Sequence, residues 1–198
     1  MKKIFLFLLI SSLFFACRPS NPIPKPNGYF KINLPEEHVY QTFDSLNFPY
    51  SFEYPIYARI TQDSNLIKRE NEPYWVNVYF PDLDATIYLS YSALKEKDNL
   101  DNLIAASYKM SFAHDIKADY IKTPPFETPN GLYGILFNVG GNAASAYQFF
   151  ITDTTKNFLR GALYFNVAPN VDSLKPSIDF LKTDIDHLIS TFQFKKKH

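Results

Sequence analysis

An α+β domain, with a mostly antiparallel sheet of about six to seven strands packed by two main helices, is the fold class this sequence predicts. Three observations predict it. Short runs alternate with period two and are separated by Pro, Gly and Asp turns, as hairpin-connected strands are. The chain is rich in strand-favouring aromatics, with 19 Phe and 14 Tyr. Two longer stretches, one mid-chain and one near the end, repeat apolar residues at helical spacing.

The elements follow in order. Met1-Lys2-Lys3 precedes an apolar run from Ile4 to Ala16, the pattern of a secretory signal peptide over residues 1–16. A spanning helix needs roughly 20 apolar residues, so this run is too short to be one. Cys17 is the single cysteine, which excludes a disulfide scaffold within the chain. It is an idle thiol, an intermolecular disulfide or a lipid acceptor. Leu13-Phe-Phe-Ala-Cys17 resembles a lipobox, with Phe14 where Leu is usual, and so favours lipidation at Cys17. Residues 17–28 carry Pro19, Pro22, Pro24 and Pro26 and read as an extended, semi-rigid tether. A single globular domain then spans 29–198. The mature chain starting at Cys17 has 182 residues, enough to bury a core.

Within that domain Tyr29 to Leu34 reads as a first short strand. Tyr50 to Tyr54 is the next, interrupted by Pro55, and Tyr57 to Thr61 reads as its continuation after a bend. Trp75–Phe80 and Ala85–Tyr91 form a hairpin across Pro81-Asp-Leu-Asp84. A helix spans roughly Leu100 to Ala118, with Leu100, Leu103, Ile104, Ser107, Met110 and His114 on one face. Three strands follow, Leu132–Val139, Ala144–Thr152 and Phe158–Val167, turning at Gly140-Gly141-Asn142 and at Asp153–Lys156. The second turn sets Gln148 opposite Gly161 and Phe149 opposite Arg160, and the large apolar groups on both faces call for a sheet covered on both sides. In the last helix Leu174, Ile178, Leu181, Ile185, Leu188 and Phe192 form one buried seam. Pro176 is placed in its first turn, and Lys182, Asp184 and Asp186 lie off the seam in solvent. A broad antiparallel sheet between helices looks like the PsbP/Mog1 layered type.

Chemistry-bearing motifs are scarce. Without Lys2 and Lys3 the chain has 18 basic and 20 acidic residues, so no basic footprint for nucleic acid exists. His38, His114, His187 and His198 show no metal-ligand spacing, and no metal or other cofactor is expected. His114 reads as a core imidazole bonded to a carbonyl, and His187 as a solvated rim residue. There is no G-x-S-x-G, and Gly140-Gly141-Asn142 lacks the ending of a phosphate loop. Asp82 and Asp84 fit a turn more simply than a carboxylate pair. No catalytic residue is assigned. Gln148 and Arg160 stand out as polar groups inside apolar strands. Arg160 is either bonded to a carboxylate or loop carbonyls, or stacked on Tyr147 or Phe149 in a binding patch.

Pro26-Asn-Gly-Tyr-Phe30, Phe52-Glu-Tyr-Pro55, Tyr88-Leu-Ser-Tyr91, Gly141-Asn-Ala-Ala-Ser145, Gln148-Phe-Phe150 and Phe158-Leu-Arg-Gly-Ala-Leu-Tyr-Phe165 resemble, in that order, the gliding-motility lipoprotein family GldD of Bacteroidota. The resemblance implies a non-enzymatic lipoprotein of the cell envelope, anchored through Cys17; the lack of acidic residues just after Cys17, where a surface-export signal would lie, favours a periplasm-facing location. It implies partners among the gliding and type IX secretion proteins. Tyr29, Phe30, Gln148 and Arg160 are the candidate interaction patch. A periplasmic ligand-binding or hydrolytic lipoprotein, with an aromatic pocket around Arg160 and Gln148, is the alternative.

Overall fold

The computed structural model describes residues 32–94 and 97–195. The signal peptide, Cys17, the proline tether, Tyr29 and Phe30 lie outside them. In chain order the elements are β1 (Tyr40–Phe43), β2 (Tyr50–Pro55), β3 (Arg59–Thr61), α1 (Ser64–Glu70), β4 (Val76–Phe80) and β5 (Ala85–Ala93). Then come α2 (Lys97–Phe112), β6 (Ala118–Lys122), β7 (Pro125–Glu127), β8 (Tyr133–Gly141), β9 (Tyr147–Thr152), β10 (Asn157–Phe165), α3 (Val171–Thr191) and β11 (Gln193–Phe194). The fold is α+β, as the aromatic hairpins predict.

Two sheets carry it, and every strand pair is antiparallel. The larger runs β3-β4-β5-β10-β9-β8-β6, with β7 also paired to β8. The smaller is β1-β2-β11. β9 is buried at all six positions, because the large sheet is covered on both faces. On one face α2 packs Leu100, Leu103, Ile104 and Tyr108 against Phe137, Phe150 and Phe158. On the other, α3 and the small sheet bring Leu181, Ile185, Leu188 and Phe192 together with Tyr50, Phe52, Leu89 and Phe149. Burying each of these side chains contributes roughly 1.5–3 kcal/mol, so the aromatic content becomes the core.

Several expectations are corrected. Ile32 to Leu34 is not a strand, and the first described strand is β1. β3 does not continue β2: after Pro55 the chain turns, with Ala58 N donating to the Pro55 carbonyl at 3.0 Å, and joins the other sheet. The middle helix ends at Phe112. A 3-10 turn at Asp115–Lys117 then leads into β6, whose polar face hides it from a hydrophobicity pattern. Met110 is consequently exposed, and Ser107 and Ser111 take the buried positions. α3 begins at Val171, where Asn170 caps it by accepting from Ser173 N, so Pro176 lies in the second turn. Lys182 and Asp186 form an exposed pair on α3, whereas Asp184 is only 1% exposed.

Candidate functional site

Arg160 and Gln148 meet because of the register between β9 and β10. Phe150 pairs with Arg160, Phe149 with Gly161 and Gln148 with Ala162. That is one residue away from the pairing expected from the Asp153–Lys156 turn. Opposed residues in an antiparallel pair share a face, so the shift moves Gln148 and Arg160 from opposite faces to the same one. The turn itself sets the register. Asp153 Oδ1 accepts from the backbone N–H groups of Thr155, Lys156 and Asn157, at 2.8–3.0 Å.

On the α2 face, Gln148 Oε1 accepts from Arg160 Nη2 and, at 3.0 Å, from the Ser111 hydroxyl. Among the described residues neither a carboxylate nor an aromatic ring holds Arg160; Phe149 lies on the other face, its ring over Gly161, where an added Cβ would come within 2.2 Å of it. Gln148 is fully buried and offers no surface of its own, which corrects its place in an exposed patch. Arg160 is half-buried, and burial lowers its guanidinium from the ordinary value, partly offset by Tyr164. Gln148 Nε2 and Arg160 Nε are buried without hydrogen-bond partners among the described residues. His114 lies past the end of α2, its ring 6.3 Å from that of Tyr164, rather than in the core. Burial and then the Arg160 charge lower its pKa.

A second polar network centres on Asp184, and the residues that hold it were not singled out in the sequence. Its Oδ1 accepts from His38 Nδ1 at 2.7 Å and from the Tyr40 hydroxyl at 3.1 Å, and its Oδ2 from the Tyr57 hydroxyl at 2.7 Å. A carboxylate only accepts, so His38 carries its proton on Nδ1. Burial, and then Asp184 itself, raise both tyrosines, which keeps the hydroxyls protonated as donors. The His38 ring stacks on Phe180 at 4.3 Å. Tyr40 stacks at 3.5 Å on His187, which is half-buried and pairs with Glu53 at 2.7 Å rather than standing free in solvent. The signal was in the spacing: Asp184 stands three residues after Leu181 and four before Leu188, on the buried face of α3. Chemically the cluster satisfies one buried carboxylate and pins residues 38–40 and the β2–β3 turn to α3. Among the described residues no group of three or more His, Cys, Asp or Glu is placed to hold a metal ion.

A family model described as gliding motility lipoprotein GldD matches residues 19–194. The chain belongs to the GldD family. It is thus a gliding motility lipoprotein, a class that implies membrane anchoring and a place in the cell envelope. No curated protein matches this GldD chain. Among solved structures it is similar to the solution structure of cyanobacterial PsbP (CyanoP) from Synechocystis sp. PCC 6803, at 14% identity over 88% of this chain and 99% of that one, with a TM-score of 0.48. Among the described residues of the GldD chain, no helix is long and apolar enough to cross a membrane.

Proposed function

We propose that this GldD protein is anchored by acyl chains on Cys17, carried at the end of the 17–28 tether, with its 29–198 domain facing the periplasm. It works by docking on motility and type IX secretion proteins and catalyses no reaction of its own. The observation that carries this reading is the family match, which runs from residue 19 in the tether through 194 at the last strand. Each acyl methylene placed in a bilayer contributes about 0.8 kcal/mol, so several chains on one residue hold a protein firmly. A ligand pocket around Arg160 and Gln148 has little to support it. Gln148 is closed in by Ser111 and Arg160, and neither Gln148 nor Arg160 lines the clefts beside Leu174 and beside Phe126.

Replacing Cys17 with Ala tests the anchor: the protein is expected to leave the membrane fraction and to lose acyl labelling. Persistence in the membrane fraction, with no label on the native chain, overturns it. In-cell crosslinking from the Arg160 side tests docking, with envelope motility or secretion proteins as the expected captures.

A further inference from the structure

A cleft of about 230 Å³ opens between the N-terminal half of α3 and the end of the large sheet, where β8 runs into β9. The residues that shape it belong to the Gly141-Asn-Ala-Ala-Ser145 stretch and its neighbours, which the two polar networks do not use. Gly140 has no Cβ because the Tyr120 ring lies 2.2 Å from where one would be, and Gly141 has a φ of +91°. Asn142 Oδ1 accepts from Val171 N at 2.8 Å and ties the loop to the start of the helix. Ala143 and Ala146 are small enough to leave space between that loop and α3, and Val139, Leu174 and Ile178 make the walls aliphatic.

Tyr147 lines this cleft. It is 6% exposed, and its hydroxyl has no hydrogen-bond partner among the described residues. The hydroxyl is open to the cleft, so an arriving polar group takes the place of water on it. The surroundings are electronegative. Burial, then Asp179, Tyr120 and Asp186, push the Tyr147 pKa up to about 12. Of the charged residues on the cleft itself, Lys175 is paired with Asp179 at 2.6 Å, which leaves the Asp119 carboxylate in excess. Aliphatic walls with an acidic mouth and an inner oxygen acceptor match a long side chain whose stem is apolar and whose head is cationic.

We propose that this cleft receives an arginine or lysine side chain presented by a partner protein. The stem lies along Leu174, Ile178 and Val139, and the head meets Tyr147 and Asp119. The proposal rests on the docking role above and names the chemistry of the contact.

The test uses the full acylated chain in detergent, with methyl-labelled Ala and Leu observed by NMR, and N-acetyl-arginine methylamide as the probe. Saturable shifts at Ala143, Ala146 and Leu174 are expected. The neutral isostere, N-acetyl-citrulline methylamide, is expected to bind roughly tenfold more weakly. On the exposed mouth, Asp119→Asn is expected to weaken arginine roughly threefold and leave citrulline unchanged. Ala146→Leu, which fills the cleft, is expected to abolish both. Absence of shifts up to the solubility of the probe, or equal binding of arginine and citrulline, overturns the proposal. A photocrosslinker at Leu174 separates it from the docking role. Capture of motility or secretion proteins from the Arg160 side, with none from Leu174, overturns the cleft and leaves docking standing. Arginine binding with no capture from either position overturns docking, and with it a partner protein as the source of the side chain.

Discussion

His38 and Asp184 are 146 positions apart in the sequence and 2.7 Å apart in the fold. The contact joins the segment leading into β1 to the middle of the last helix. It is made on a carboxylate that is almost wholly buried and that also accepts from two tyrosines. Removing one partner of such a cluster costs more than the cluster contributes net, because the remaining groups stay buried without partners.

Asp184→Ala is therefore expected to destabilise the domain by about 3 kcal/mol, leaving His38, Tyr40 and Tyr57 unpaired. For a domain of this size that lowers Tm by roughly 6–12 °C, measurable by calorimetry. Asp184→Asn keeps a carbonyl acceptor and is expected to lose about half as much. A surface substitution at the neighbouring Asp186 is the control, expected within about 0.5 kcal/mol of the native protein.

Gln148 and Arg160 are expected to be coupled. Gln148→Leu takes the acceptor away from a half-buried guanidinium and is expected to cost about 2 kcal/mol. Arg160→Met alone leaves the carboxamide with only Ser111. The double substitution is expected to be less destabilising than the two singles summed, by at least ~1 kcal/mol, because no buried charge then remains. Strict additivity in urea unfolding overturns the pairing.

Gly161→Ala is expected to be poorly tolerated although no unusual backbone angle is involved. The new methyl meets the Phe149 ring from across the strand pair. Overpacking of this kind costs about 1–3 kcal/mol, and Phe149→Leu in the same chain is expected to recover part of it. The urea midpoints of the single and double variants are the measurement.

Asp153 supplies a pH dependence. Burial alone would raise its carboxyl, but hydrogen bonds from Lys156, Thr155 and Asn157 outweigh burial and hold it below the usual carboxylate value. A folded-state pKa that is depressed gives stability present above the unfolded value and lost as pH falls through the folded one. Native stability is expected to decline on acidification below about pH 4. In Asp153→Asn this part of the decline is expected to be missing, with lower stability at neutral pH. Parallel pH profiles of the two proteins overturn the assignment.

Much of this fold was legible from period and punctuation. The β4–β5 hairpin, the strands β8, β9 and β10 and the seam of α3 all appear in the sequence, because each carries a regular run of buried apolar residues. What escaped was decided by tertiary context. The pairing of β9 with β10 depends on where Asp153 closes its turn, and a shift of one residue decides whether Gln148 and Arg160 ever touch. Asp184 sits at an apolar spacing on its helix and reads as solvated because it is charged. Only folding brings His38, Tyr40 and Tyr57 to it from far upstream. β6 and β7 lie at the edge of the sheet with no fully buried residue, and such strands leave a faint hydrophobic signal.

The small sheet has a consequence for how the protein is made. β2 is flanked by β1 on one side and by the last two-residue strand, β11, on the other, and it packs on α3. A polypeptide emerging from its amino end first thus has the aromatic rings of β1 and β2 waiting uncovered until nearly the whole chain is out. Closure of the small sheet therefore waits on α3 and β11, so a truncation that removes β11 is expected to uncover the same rings.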